Sequence, residues 1–123
     1  MSSPHLGRHM LLELFDCPYA ELNSLEDVRS RLLRITDEIG ATRVNENFHH
    51  FSPQGISGVV IIAESHLTIH TWPEHGYAAV DLFTCDASID YDLAERLLVG
   101  AFKAGRHERQ TLARGQMTVV HPA

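Results

Sequence analysis

Cysteine is scarce in this chain: Cys17 and Cys85 are the only two among 123 residues. Two thiols so far apart exclude a disulfide-stapled secreted scaffold and read as reduced cysteines. No apolar run approaches the ~20 residues of a membrane-spanning helix. The opening "MSSPHLGRHM" lacks the basic-then-apolar build of a signal peptide, so a cytoplasmic location is expected. No glycine loop matches a P-loop or dinucleotide fingerprint. Ten Lys and Arg against sixteen Asp and Glu give a net charge of -6. Both signs are interspersed, which leaves no basic stripe to follow a nucleic acid. What remains is 44% apolar, 21% charged and unusually supplied with histidine, nine in all. That is the make-up of a single globular domain with a modest core, and one whose charge changes as pH falls toward the histidine range.

Periodicity divides the chain into strands and two helices. Residues 8–15, "RHMLLELF", alternate, with Met10, Leu12 and Leu14 on one face. Residues 24–40 form the clearest helix, with Leu25, Val28, Leu32, Ile35 and Ile39 as its stripe. Ser24 caps it, Asp27 offers a reciprocal box and Gly40 is the stop. A strand rich in Asn and His follows over 41–51, then a glycine-containing turn over 52–58 and a short buried strand over 59–63. Residues 66–72 and 77–85 read as two further strands around the Pro73–Gly76 turn. A second helix spans about 90–103, and 115–122 reads as a last short strand. Short turns among the central strands favour antiparallel neighbours, and each helix needs an apolar surface. The expected fold is therefore a two-layer α/β sandwich, a mainly antiparallel sheet covered by two helices. The sheet's other face would suit a second copy of the chain, hence a homodimer.

The chemistry concentrates in "AESHLTIHTW", residues 63–72. His66, Thr68, His70 and Trp72 share one strand face. On a strand, His66 and His70 stand about 13 Å apart, too far to hold one ion, so no metal site is expected. Ser65 lacks the glycine-rich elbow of a hydrolase nucleophile. A relay of Ser65, His70 and Asp81 remains open, because register alone neither makes nor excludes it. If residues 77–85 pair with 66–72, Cys85 comes near the start of "SHLTIHT" and can serve as a proton donor. Otherwise it is a packed small hydrophobe.

The block "FSPQGISGVVIIAESHLTIHTWPEHGYAAVDLFTC", residues 51–85, resembles the prokaryotic S-adenosylmethionine decarboxylase proenzymes, a pyruvoyl-dependent family of polyamine biosynthesis. "LGRHMLLELFDC" and "GATRVNENFHHF" are similar to it as well, so the resemblance covers nearly the whole chain and thins after Cys85. It implies a zymogen, one domain over 1–123, that cleaves itself between Glu64 and Ser65 into a beta chain, 1–64, and an alpha chain, 65–123. Ser65 would become the pyruvoyl cofactor, with neither metal nor pyridoxal phosphate. Its carbonyl would form a Schiff base with S-adenosyl-L-methionine, and decarboxylation would yield the aminopropyl donor for spermidine.

By the same resemblance, His70 would be the base for proton removal in the eliminating step of processing, and Ser57 would orient or stabilise, by hydrogen bonding, the tetrahedral intermediate that precedes it. Cys85 would be the general acid of the mature enzyme. Phe51 and Trp72 would form an aromatic binding region, against a competing reading as sheet packing, and Glu74 would contact the ribose hydroxyls. Three positions depart from the family pattern: His50, Gln54 and Asp86. They leave the processing residues intact but bear on the pocket, so arginine or ornithine is carried as an alternative substrate. A processing-dead or non-enzymatic binding homolog is the third reading. The intact set Ser57, Ser65, His70 and Cys85 speaks against it.

Overall fold

The computed structural model describes residues 5–117. Its first strand, β1 (His5–Phe15), alternates as its sequence requires, with Met10, Leu12 and Leu14 fully buried. A single helical turn, α1 (Tyr19–Leu22), then leads into α2 (Leu25–Glu38). Ser24 caps α2 by accepting from the Asp27 N–H at 3.3 Å. Only this half of the expected reciprocal box is formed among the described residues. Gly40, at φ 87°, terminates the turn after the helix. The strands β2 (Arg43–His50), β3 (Ile56–Ile62), β4 (Ser65–Trp72) and β5 (Tyr77–Thr84) follow, with a 3-10 turn at Pro73–His75. Helix α3 (Tyr91–Ala101) and strand β6 (Arg106–Gln116) complete the order.

Every strand pair is antiparallel, in the order β2-β3-β4-β5-β1-β6. One face carries the core. Val60, Leu67, Ile69, Val80, Leu82 and the buried residues of β1 meet Val28, Leu32, Ile35, Leu98 and Phe102 of the helices. Among the described residues the other face has no helix against it and is studded with partly exposed side chains, among them Ile61, Trp72 and Leu112. The two-layer α/β sandwich is the expected one, with a third, one-turn helix that no periodic pattern announced.

Three boundaries differ from the sequence reading by several residues, the first being β1, which begins at His5 instead of Arg8. The expected turn over 52–58 ends early, because Ser57 and Gly58 already belong to β3. Gly58 is there for contact, not for a turn: a Cβ on it would lie 2.2 Å from the Phe48 ring of β2. The turn's own glycine is Gly55, at φ 103°. The last strand occupies Arg106–Gln116 instead of 115–122, and 118–122 lie outside the described residues. β6 is a polar edge strand, so hydropathy did not mark it, whereas its partner β1 supplies the pairing from His5 to Phe15.

Candidate active site

The bond between Glu64 and Ser65 lies at the tip of the β3–β4 hairpin. Ile62 pairs with Ser65 across the tip, leaving Ala63 and Glu64 as the turn. Ser65 also pairs with Thr84 on its other side. Its φ of 152° is a conformation that an L-residue with a Cβ rarely adopts. Such a backbone costs about 1–3 kcal/mol and persists only where its surroundings over-determine it.

The surroundings here are specific. The Glu64 carbonyl accepts from the Cys85 N–H at 3.0 Å. The Glu64 side chain, through Oε1, accepts from the Thr42 N–H at 3.1 Å, while the Ala63 N–H donates to the Thr42 carbonyl at 2.8 Å. Cys85 follows directly on β5 and is exposed as a free thiol. Its strand end is fixed from within. The buried Thr84 hydroxyl meets the Tyr91 hydroxyl at 2.7 Å, and Tyr91 donates to the Arg8 carbonyl at 2.8 Å. The expected approach of Cys85 to the start of "SHLTIHT" is thus realised, by a backbone donor aimed at the Glu64 carbonyl oxygen. A preorganised N–H in that position stabilises the oxyanion that forms when the carbonyl is attacked.

His70 and Ser57 form a second group. They face each other in the β3–β4 register, and His70 Nδ1 lies 2.8 Å from Ser57 Oγ. Around them Asn47, His49, Gly58, Val59 and Thr68 line an open groove of about 260 Å³ on the uncovered sheet face. At this same end lie Phe51, packed edge-on to His49 at 4.5 Å between ring centres, and Trp72, tilted on Tyr77 at 5.3 Å. Glu74 follows in the exposed 3-10 turn. Sequence reasoning passed over Asn47 and His49, since a polar strand face gives no sign of what it will line.

The two groups do not meet within one chain. Ser65 and His70 are five positions apart along a single strand, about 16 Å at the usual rise. Ser65, Glu64 and Cys85 sit at one end of the sheet; Ser57, His70, Phe51, Trp72 and Glu74 sit at the other. The Ser65–His70–Asp81 relay is not assembled either. Asp81 lies across from Thr68 in the register and bonds Thr68 at 3.3 Å and His9 at 3.0 Å. His66 stands beside this group, stacked on Phe83, and burial, then the neighbouring His9, push its pKa below the usual imidazole value.

The three departures from the family pattern each find a local partner. His50 Nε2 lies 3.0 Å from Asn23 Oδ1, which also accepts from the Gly55 N–H at 3.1 Å. Gln54 Oε1 accepts from the Tyr19 hydroxyl at 2.7 Å. Asp86 accepts from the Ser88 N–H and hydroxyl, which hold its carboxyl below the ordinary aspartate range.

Comparison with known proteins gives the same reading. Residues 8–115 match the family model described as S-adenosylmethionine decarboxylase. The S-adenosylmethionine decarboxylase proenzyme of Fervidobacterium nodosum is 50% identical over 101 residues, covering 82% of this chain and 74% of that one. The proenzyme of Thermosipho africanus is 55% identical over 85 residues, 69% of this chain, and the match spans 65% of that relative's length. In structure, the adenosylmethionine decarboxylase of Aquifex aeolicus superposes with a TM-score of 0.87 at 33% identity, over 98% of this chain and 100% of that one. These comparisons do not support the arginine or ornithine alternative. With a family model matched over most of its length and a common fold, this chain belongs to the S-adenosylmethionine decarboxylase family.

Proposed function

We propose that this chain is the proenzyme of a pyruvoyl-dependent S-adenosylmethionine decarboxylase that cleaves itself at Glu64–Ser65. The observation that carries the reading is the bond itself: a serine in a strained backbone, on a hairpin tip, with the preceding carbonyl held by the Cys85 N–H. Ser65 Oγ adds to the Glu64 carbonyl carbon, and the oxyanion is received by that N–H. Collapse breaks the C–N bond, the hydroxyl proton passes to the departing nitrogen, and an ester joins Glu64 to Ser65 Oγ. Removal of the Ser65 α-proton then breaks the Cβ–Oγ bond. The beta chain leaves with a carboxylate at Glu64, and position 65 is left as dehydroalanine. Tautomerisation and hydrolysis release ammonia and leave the pyruvoyl group.

The residues around position 65 suit that group. Ser65 has the β-hydroxyl and α-proton its formation consumes, and Cys85, whose N–H holds the Glu64 carbonyl, carries a free exposed thiol. The pyruvoyl group supplies an electron sink for the decarboxylation of S-adenosyl-L-methionine. Cys85 returns a proton to the carbon that has lost its carboxylate. Phe51 and Trp72 offer aromatic faces to adenine, and Glu74 offers a carboxylate to the ribose diol.

His70, with Ser57 bonded to it, is the base of the eliminating step. It stands about 16 Å along the strand from Ser65 of its own chain. A second copy removes the discrepancy. Two sheets related by a two-fold axis, uncovered face to uncovered face, bring the His70 end of one against the Ser65 end of the other, and the symmetry builds the site twice. The exposed apolar side chains on that face, Ile61, Trp72 and Leu112, support its use as an interface.

The function is tested on a single preparation. Protein cut at Glu64–Ser65 should release carbon dioxide from carboxyl-labelled S-adenosyl-L-methionine and not from arginine or ornithine. Release from either of the latter in preference would replace the substrate assignment.

A further inference from the structure

The Glu64 side chain has no part in the steps above, yet it is tied into the fold at the bond those steps break. Its tie arises from a strand that runs out. Arg43, the first residue of β2, is the outermost one paired with β3 at this end, opposite Ile62. One step beyond, Thr42 lies alongside the Ala63–Glu64 turn. On one side the ladder continues, with the Ala63 N–H donating to the Thr42 carbonyl at 2.8 Å. On the other side the chain has already turned, and no strand carbonyl is there for the Thr42 N–H. Glu64 Oε1 accepts it instead, at 3.1 Å. A side-chain oxygen thus stands in for a backbone acceptor. Residue 64 is thereby held on opposite sides, by Thr42 through its side chain and by Cys85 through its carbonyl, with strained Ser65 immediately after it.

We propose that the Glu64 carboxylate is a positioning group for the cleavage that frees it. Bracketed on Thr42, it keeps the hairpin tip from relaxing, so that the Glu64 carbonyl stays on the Cys85 N–H while Ser65 Oγ adds to it. The inference rests on the self-cleavage reading. It concerns the first step alone: the Oγ–C bond forms, the C–N bond breaks, and the proton moves from Oγ to nitrogen. Glutamine keeps an oxygen at the same reach and preserves the bracket. Aspartate is one methylene short of Thr42, and alanine has no acceptor.

The test follows cleavage of freshly purified precursor by intact mass for the wild type and for Glu64→Gln, Glu64→Asp and Glu64→Ala. The same three changes in a Ser65→Ala background give the Tm of chains that cannot cleave. Loss of the bracket should lengthen the half-time of cleavage about tenfold or more in the Ala and Asp variants, the effect of one hydrogen bond. Glutamine should remain within about threefold of wild type, and Tm should change little. Cleavage of Glu64→Ala at the wild-type rate overturns the bracket and leaves the self-cleavage reading standing. So does a slowing that glutamine fails to rescue, or one that tracks a large fall in Tm. A wild type that never cleaves overturns the self-cleavage reading, and the bracket with it.

Discussion

At position 64 the main chain and the side chain answer to different partners, and both partners are backbone N–H groups. Cys85 donates to the carbonyl and Thr42 to the carboxylate. Neither donor could be found from residue types, because every residue but proline has an N–H. What the alternation of "SHLTIHT" and "YAAVDLFTC" did reveal was that Cys85 comes home beside Ser65, and β5 delivers it there. Ser57 and His70 were each named only through resemblance, and the register is what joins them: the two positions face each other across β3 and β4. The role assigned to His70 lies after the acyl shift, which gives a separable outcome. His70→Ala should form the ester and stall there, with elimination slowed by about 10²–10⁴ as expected for a lost general base. Hydroxylamine should cut such a chain at position 64, with mass spectrometry as the readout. A His70→Ala protein that processes at the wild-type rate would remove His70 from the mechanism.

Among the elements, the β2–β3 pair matters most for the site, since it carries Ser57 and is entered from Thr42, the residue before β2. Its sequence was the hardest to read. "NENFHH" has no apolar alternation because one side of it is the open face and the strand is an edge. Glycine 58, read as part of a turn, is a strand position over which the Phe48 ring lies. A methyl group there would meet that ring at 2.2 Å, so the ring must swing away or the strands part. Gly58→Ala should destabilise the precursor by about 1–3 kcal/mol, in the range of overpacked sites. Its Tm in a Ser65→Ala background measures this. Gly100→Ala is the control, because a Cβ there meets nothing within 4 Å and alanine favours a helix. Equal Tm for the two variants would mean that Phe48 does not depend on the glycine. The helices, by contrast, were legible. In the first, Val28, Leu32, Ile35 and Ile39 of the expected stripe became core and Leu25 packs at its edge, because burial against a sheet is what a 3.6-residue period encodes.

For the molecule as a whole, the sheet divides the chemistry between its two ends and leaves one face open. Chain order concealed this. Ser65 and His70 are close in sequence, but an extended strand spends those five residues on distance. The proposed two-fold assembly converts the separation into a requirement, and it can be met by two defective chains together. A Ser65→Ala chain keeps His70, and a His70→Ala chain keeps Ser65. Alone, neither should finish processing. Refolded together, the His70→Ala chain should complete its cleavage, at a site to which its partner brings the histidine. Failure of the mixture, with mixed dimers demonstrated by mass, would place the base elsewhere.

All of these outcomes depend on one covalent event. The measurement that bears on it most directly is the intact mass of purified protein held under folding conditions, beside the Ser65→Ala variant. Two fragments are expected, 1–64 ending in a free Glu64 carboxylate and 65–123 beginning with a pyruvoyl group in place of an amino terminus, and an unbroken variant. A wild-type chain that stays whole on prolonged incubation, or one cut at any other bond, would contradict it.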